Sequence, residues 1–163
     1  MQVESWTLTT LANRVEIHST FCRLLFNLDE RRLERTADQF TESGIVRMFA
    51  SLDDRDAGQP VSEAVGHRGI VENFQRYFRR LDRTHHSITN FVADIDGGEA
   101  AVRAHLRCYH RGCGQAAGLW EESLALMNAK VIAEGGQWRI QNMDYAVAII
   151  LGSIEVFGDA MVA

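Results

Sequence analysis

Two adjacent histidines, His85 and His86, open the segment "HHSITN" near the middle of the chain. An imidazole suits proton transfer near neutral pH because its ordinary pKa lies near ~6.5. The segment is compatible with three interpretations: a polar strand surface, a metal site, or one half of a catalytic pair. A catalytic base also needs a second group, such as a carboxylate, that fixes the ring and stabilises its charged form.

Asp29 is a candidate for that second group. It ends an apolar stripe in a segment with helical periodicity, whose earlier members follow one another at alternating steps of four and three: Leu11, Val15, His18, Cys22 and Leu25. A neighbouring stripe completes one broad apolar face of the predicted helix: Ile17, Phe21, Leu24 and Leu28. A carboxylate on a core-facing stripe is costly to bury unless it is paired. Two interpretations stay open: an exposed residue at a helix end, or a buried acid with a partner.

A third candidate, His110, is the last residue of the alternating segment "VRAHLRCYH". Alternate residues of a strand point to opposite faces of a sheet. The residues that share a face with His110 are apolar: Val102, Ala104, Leu106 and Cys108. We therefore predict that His110 points into the interior near the end of its strand. His105, between two arginines, is predicted to face solvent or a partner subunit.

Only one apolar neighbour indicates whether the His86 side chain points inward or outward. His86, Ile88 and Asn90 share one face of the predicted strand, and Val92 continues in the same phase. Ile88 favours this face as the inner one, so His85 points the other way. No His-x-Glu, Cys-x-x-Cys or two-histidine-one-carboxylate spacing is present. The sequence therefore predicts neither a metal nor a cofactor.

The elements that position these side chains begin with helices. Helical periodicity covers residues 8–28, a second short helix is predicted over 30–40, and "HRGIVENFQRYFRRL" is again amphipathic. Between the second and third helices, residues 44–52 are predicted to form a strand and residues 53–66 a polar loop.

Beyond the third helix the hydrophobic periodicity changes to two, which indicates successive strands. Asp96-Gly97-Gly98 and Glu134-Gly135-Gly136 are predicted hairpin turns between them. Helices followed by a long meander predict an α+β fold. We expect a cone-shaped half-barrel, in which a curved mixed or antiparallel sheet is closed by N-terminal helices around a pocket.

The composition is that of an ordinary globular protein. Of 163 residues, 46% are hydrophobic and 24% are charged, and we predict one domain over residues 1–163. The net charge of −5 argues against nucleic acid and anionic membranes as partners. We find no signal peptide or membrane span, and three dispersed cysteines suit a reducing cytoplasm. The apolar tail from residue 145 onward is predicted to cover another part of the protein.

Several segments together resemble the SnoaL-like superfamily, whose fold is the nuclear-transport-factor-2-like cone. The resemblance covers residues 8–145 and rests on "LANRVEIHSTFCRLLFNLDERRLERTADQF", Gly66, "RTHHSITN" and "GGQWRI". Within the superfamily the chain is similar to scytalone dehydratase and to hexachlorocyclohexane dehydrochlorinase. Their helix-end aspartate and strand-opening histidine match Asp29 and His86. The second histidine of the dehydratase pattern matches His110, and the dehydrochlorinase pattern "H..TN" includes Asn90.

This resemblance implies a cofactor-independent lyase of the dehydratase kind, or an isomerase, acting on a small apolar ring-containing molecule. Asp29 would orient His86, His86 would remove a proton from carbon, and His110 would donate to a leaving hydroxyl or hold a carbonyl oxygen. The residues expected to contact the substrate are Cys22, Leu25, Phe49, Asn90, Cys108 and Met127.

Departures from the dehydratase pattern imply a more apolar pocket. No tyrosine precedes Tyr77, and Leu28 stands where one is expected. Ala125 and Met127 lie near the positions where that family carries a serine and an asparagine. Scytalone itself is therefore not the expected substrate.

Two other functions stay open at this point. The fold also hosts non-catalytic ligand-binding proteins and structural subunits like the small subunit of ring-hydroxylating dioxygenases. A polyketide-type cyclase would need an acidic partner, which the sequence does not reveal. We also expect a homo-oligomer, a dimer or a trimer, with the outward face of the "VRAHLRCYH" strand as a candidate interface: Arg103, His105, Arg107 and Tyr109.

Overall fold

The first helix begins and ends at sites that its sequence provides. The computed structural model describes residues 7–161. Helix α1 (Leu8–Asp29) begins after Thr7, whose hydroxyl oxygen accepts a hydrogen bond from the Thr10 N–H. It ends at Asp29, and Arg31 then adopts a positive φ of 60°. The last turn of α1 therefore places Asp29 at the junction with the next segment.

Helix α1 packs mainly through one of the two stripes that were predicted to form its broad apolar face. Its buried residues are Ile17, Thr20, Phe21, Leu24, Leu25 and Leu28. Leu11, Val15 and His18 are exposed, so the prediction that this stripe faces the core is wrong for its first half. The stripe reaches the interior only at Leu25 and Asp29, because the two stripes lie side by side and both are apolar.

The remaining elements follow the predicted order with two additions. Helix α2 (Leu33–Ala37) precedes strand β1 (Phe40–Phe49), and helix α4 (Gly66–Phe78) is the amphipathic one. The predicted polar loop over residues 53–66 contains instead a short helix α3 (Leu52–Asp56) and an edge strand β2 (Ser62–Val65). Both are too short to give a periodic signal in the sequence.

A six-stranded mixed sheet forms the rest of the fold, which confirms the predicted α+β class. Strands β3 (Leu81–Asp96), β4 (Glu99–Gly112), β5 (Trp120–Glu134) and β6 (Gln137–Gly152) form an antiparallel meander. The sheet order is β2-β1-β6-β5-β4-β3, and β1 lies parallel to β6. The Gly97-Gly98 and Gly135-Gly136 turns join the strands where they were predicted. Helices α1 and α4 pack against the sheet, with α1 on β3 and β6 and α4 on β1 and β3.

A β-bulge in β3 changes which residues face inward. Thr89 lies opposite His105 and Val92 lies opposite Arg103, so Asn90 and Phe91 together oppose one residue of β4. Asn90 adopts a positive φ of 51°. Beyond the bulge, Phe91 packs on the core and Val92 is exposed. The predicted continuous phase from His86 to Val92 is therefore wrong after Ile88.

The C-terminal segment, Ile154–Met161, forms a 3-10 turn structure that packs against α4, β4 and β5. Val156 is fully buried and Phe157 nearly so, which confirms that the apolar tail covers part of the protein. In the part of the chain that the structure describes, no helix combines the length and the apolar character needed to cross a membrane.

Candidate active site

An apolar cavity lies between the end of α1, helix α4, the inner face of the sheet and the C-terminal segment. Its volume is about 120 Å³. A cavity of roughly 150 Å³ holds one benzene ring, so this space suits a ligand of about one small ring. The residues around it are Leu24, Leu25, Leu28, Val46, Arg47, Met48, Asn73, Phe74, Tyr77, Phe78, His86, Leu106, Cys108, His110, Glu121, Ser123, Met143, Tyr145, Val147, Ile150, Ile154 and Phe157.

The structure brings Asp29 and His86 together at the edge of this cavity. The Nδ1–H of His86 donates to Asp29 Oδ1 at 2.6 Å, and the His86 backbone N–H donates to Oδ2 at 3.0 Å. The side chains are 7% and 19% exposed for His86 and Asp29. Because Nδ1 is engaged by the carboxylate, Nε2 is the nitrogen left to exchange a proton with a ligand.

Thr84 and Arg31 support the Asp29 carboxylate from the other side. The Thr84 hydroxyl donates to Asp29 Oδ1 at 2.8 Å and accepts from Arg31 Nη1 at 2.9 Å. The Arg31 guanidinium lies 4.4 Å above the centre of the Phe78 ring. Burial raises the pKa of Asp29, but the hydrogen bonds and charge of His86 outweigh burial and lower it. Asp29 is thus held as a carboxylate.

His86 binds its proton more tightly than an ordinary imidazole. Burial lowers its pKa, but the neighbouring Cys108 sulfur and the hydrogen bond to Asp29 outweigh this and raise the pKa of His86 to about 10. The imidazole is therefore a strong base when neutral, and it carries a proton in the resting state at neutral pH.

His110 faces the same cavity, as strand alternation predicted, and has a carboxylate partner of its own. His110 Nδ1 donates to Glu121 Oε2 at 2.6 Å, and the two residues lie opposite each other on β4 and β5. His110 is 7% and Glu121 2% exposed. The centres of the His86 and His110 rings are 5.3 Å apart. Two carboxylate–imidazole pairs therefore border one small cavity.

The second histidine is set to the opposite charge state from the first. Burial lowers the pKa of His110, and the nearby His86 and Arg31 charges lower it further, although Glu121 opposes them. At neutral pH His110 is therefore neutral, with its hydrogen on Nδ1 and a lone pair on Nε2.

Glu121 is a site residue that our sequence interpretation missed, and it supplies the buried acid that seemed absent. Its signal lies in the alternation of "WEESLALM": Glu121, Ser123, Ala125 and Met127 share one face, and all four are buried. A glutamate in phase with two buried apolar residues must be paired. Glu121 lies opposite His110 in the pairing of β4 and β5, and this pairing identifies His110 as the partner of Glu121.

A hydroxyl pair was also missed. Ser123 Oγ and Tyr145 Oη lie 2.6 Å apart, and both side chains border the cavity. Burial raises the pKa of Tyr145 well above its usual value, and the neighbouring Cys108 sulfur and Glu121 carboxylate raise it further. A tyrosine from β6, Tyr145, and another from α4, Tyr77, border this mostly apolar cavity, so two phenol hydroxyls that the sequence did not assign to it are part of its wall.

Two of the six predicted substrate contacts border the cavity: Leu25 and Cys108. Cys22 lies on the half-exposed side of α1, where its sulfur is 3.6 Å from His18 Nδ1. Phe49 and Met127 are buried away from the cavity. These three residues were predicted to contact the substrate and do not border the cavity. Sequence periodicity distinguishes buried from exposed residues, but it does not distinguish the core from the cavity wall.

Asn90 is also outside the cavity, contrary to the prediction. It is exposed, and its side-chain amide donates to His105 Nδ1 at 2.8 Å on the outer face of the sheet. The β-bulge turns Asn90 outward. Among residues 7–161, no cluster of three or more histidine, cysteine, aspartate or glutamate side chains could hold a metal ion.

Comparison with solved structures shows the same fold in other proteins. A proposed aromatic ring hydroxylase from Novosphingobium aromaticivorans matches with a TM-score of 0.76 at 19% identity, over 90% of this chain and 97% of that chain. A proposed scytalone dehydratase from the same species gives 0.75 at 18% identity, over 89% and 90%. The hexachlorocyclohexane dehydrochlorinase of Novosphingobium barchaimii gives 0.74 at 14% identity, over 90% and 94%.

No protein among curated sequences matches this chain. The sequence model of the SnoaL-like domain, in contrast, matches residues 9–144, which include α1 from its second residue onward and the strands that carry the two carboxylate–imidazole pairs. The chain therefore belongs to the SnoaL-like domain family.

Proposed function

We propose that this protein is a cofactor-independent lyase of the dehydratase kind, or an isomerase, that acts on a small ring-containing molecule. The observation that carries the proposal is the Asp29–His86 pair at the edge of an apolar cavity, facing a second carboxylate–imidazole pair. The likeness to a proposed scytalone dehydratase and to a hexachlorocyclohexane dehydrochlorinase supports a reaction of the same general kind.

In the proposed step, neutral His86 is the general base. Its Nε2 takes a proton from a carbon next to an electron-withdrawing group, and the Asp29 carboxylate stabilises the imidazolium that forms. In an elimination, the one imidazolium proton of the two histidines has first moved from His86 to His110. The C–H electron pair then becomes the new double bond, and the bond to a leaving hydroxyl breaks as His110 donates that proton to the oxygen. In an isomerisation, the imidazolium returns its proton to a different carbon.

One observation favours a second assignment of roles within the same reaction. The opposite pKa directions of the two histidines put the resting proton on His86 and leave a lone pair on His110. His110 would then accept the proton from carbon, and the His86 imidazolium would donate to the leaving group. The two assignments differ in which histidine is needed to remove a proton from carbon.

The experiment is proton exchange and elimination on a panel of single-ring ketones, with and without a hydroxyl two carbons from the carbonyl. Exchange in heavy water is followed by NMR, and elimination by the ultraviolet absorbance of the conjugated product. His86→Gln should abolish both reactions. His85→Gln is the matched control, because His85 is the adjacent residue on the exposed face of β3. Normal turnover in the His86 variant would refute the proposal.

A non-catalytic role is the alternative, and exposed apolar residues favour it. At one end of the sheet and the start of the C-terminal segment, large apolar side chains are exposed: Trp120, Ile149, Ile150, Leu151 and Ile154. A structural subunit would cover such residues with a large partner. The homo-oligomer that we predict would cover them with a second copy, so light scattering of the purified chain separates the two: a lone monomer without turnover favours the alternative.

The expected setting of this chemistry is the cytoplasm. This expectation rests on the three dispersed cysteines of the sequence, Cys22, Cys108 and Cys113, which suit a reducing compartment.

A further inference from the structure

The hydroxyl pair of Ser123 and Tyr145 has a spare hydrogen-bond donor. Each hydroxyl carries one hydrogen and can accept from others. The 2.6 Å contact between Ser123 Oγ and Tyr145 Oη uses one of the two hydrogens. The other hydrogen has the Cys108 sulfur as a hydrogen-bond neighbour, and it is available to a stronger acceptor in the cavity that both side chains border.

The protein neighbours of the pair do not provide a strong acceptor for that hydrogen. Among the described residues, Cys108 and Glu121 are the other polar groups that act on Tyr145. A thiol sulfur is a weak acceptor. The Glu121 carboxylate already accepts from His110 at 2.6 Å. A ligand oxygen would be a better acceptor than either.

The hydroxyl pair borders the same cavity as the two histidines that are proposed to transfer protons. Ser123 lies on β5, two residues from Glu121 and therefore on the same face. Tyr145 lies on the neighbouring strand β6. An oxygen bound there would belong to a ligand that also borders His86 and His110, which line the same cavity of about 120 Å³. In so small a space, a ring held by its oxygen keeps its adjacent carbons close to the imidazoles.

We propose that Tyr145 and Ser123 form a binding subsite for the carbonyl oxygen of a ring ketone, which names the substrate class of the proposed function and rests on it. The subsite donates one hydrogen bond to the carbonyl and draws electron density toward the oxygen when the neighbouring C–H bond breaks. The nearby Glu121 carboxylate disfavours negative charge on an oxygen bound at this subsite. The imidazolium formed on His86 balances the charge that develops on the ketone oxygen.

The probe is cyclohexanone carrying carbon-13 at its carbonyl, compared with methylenecyclohexane. The two molecules have similar shapes. Cyclohexanone carries an acceptor oxygen at the position where methylenecyclohexane carries a CH₂ group. Binding is measured by NMR titration. Tyr145→Phe should weaken cyclohexanone binding by roughly tenfold, the effect of one lost hydrogen bond, and leave methylenecyclohexane unchanged. The carbonyl carbon resonance, displaced on binding to the wild type, should return toward its free position in the variant.

Two further variants keep the result interpretable. Tyr109→Phe is the matched control, because Tyr109 stacks on Trp120 on the outer face and should change neither ligand. Ser123→Ala removes the partner that orients the tyrosine and should weaken cyclohexanone alone, which tests the subsite even where the tyrosine variant folds poorly. Equal weakening of both ligands by Tyr145→Phe and Ser123→Ala, or no weakening of either, would overturn the subsite.

The same probe separates this inference from the proposed function. Exchange of the cyclohexanone α-hydrogens tests the base, and the carbonyl resonance tests the subsite. A His86→Gln variant that keeps both its exchange and its displaced carbonyl resonance would overturn the proposed base but support the subsite. A Tyr145→Phe variant that keeps the displaced resonance would overturn the subsite, whatever its exchange rate.

Discussion

Replacing Asp29 by asparagine should change His86 from an imidazolium to a neutral ring with its hydrogen on Nε2, without changing the shape of the site. In the native protein, Asp29 Oδ1 accepts from His86 Nδ1 and Thr84, and Oδ2 accepts from the His86 backbone N–H. An asparagine keeps one oxygen, and this oxygen must face the backbone N–H, which can only donate. The amide NH₂ then faces Nδ1, so the neutral imidazole carries its hydrogen on Nε2.

The expected loss of activity follows from that change. A neutral His86 with hydrogen on Nε2 has no lone pair toward the cavity, and its imidazolium form loses the stabilising carboxylate. General base catalysis by a positioned side chain contributes about 10²–10⁴-fold. A wrong tautomer in a related carboxylate–imidazole pair costs about 10⁴-fold. We therefore expect kcat/KM for proton exchange to fall about 10³-fold in Asp29→Asn.

The assay combines exchange of cyclohexanone α-hydrogens in heavy water with nitrogen-15 NMR of the histidines. The rate should fall, and at neutral pH the His86 resonances should change from those of the imidazolium to those of the neutral tautomer with hydrogen on Nε2. Asp38→Asn, at an exposed position after α2, is the matched control and should change neither. A native exchange rate in Asp29→Asn, measured on protein that melts cooperatively, would refute the reasoning.

Three more predictions test other parts of the account. Glu121→Gln should lower the rate of elimination by about 10²-fold, because the His110 tautomer is no longer fixed. Glu122→Gln, a change of the neighbouring residue on the outer face, should leave this rate unchanged. Equal effects of the two substitutions would contradict a positioning role for Glu121. The exchange rate should rise roughly tenfold per pH unit from about pH 7 to about pH 9, because only the neutral base accepts a proton and the pKa of His86 is about 10; a falling profile would contradict the base role. Phe21→Ala should lower the free energy of unfolding by about 3–5 kcal/mol, since Phe21 is fully buried in the core, and urea denaturation measures it.

The sequence predicted the inward face of β4 correctly because that strand alternates without interruption. Every second residue from Ala100 to His110 is buried, and a long run of regular alternation leaves one register that buries the apolar set. The same argument worked for His86, which lies before the bulge in β3. It failed for Asn90, because a bulge adds one residue without a change in the hydrophobic pattern.

Pairings across the sheet were less accessible from the sequence. Glu121 could have been found from its phase within β5, but its contact with His110 also requires the register of β4 against β5. Tyr145 was less predictable, because β5 and β6 shift register between Leu124 and Ala125. Helix α1 raised a different difficulty: two adjacent apolar stripes gave the sequence no means to decide which one packs on the sheet.

The most direct test of the central claim is to ask which histidine removes a proton from carbon. Exchange of cyclohexanone α-hydrogens in heavy water is compared in the wild type, His86→Gln and His110→Gln. Our account predicts that exchange is lost in His86→Gln and persists in His110→Gln, because abstraction needs the base alone and no leaving group. Exchange that survives in His86→Gln, or that is lost only in His110→Gln, would contradict it.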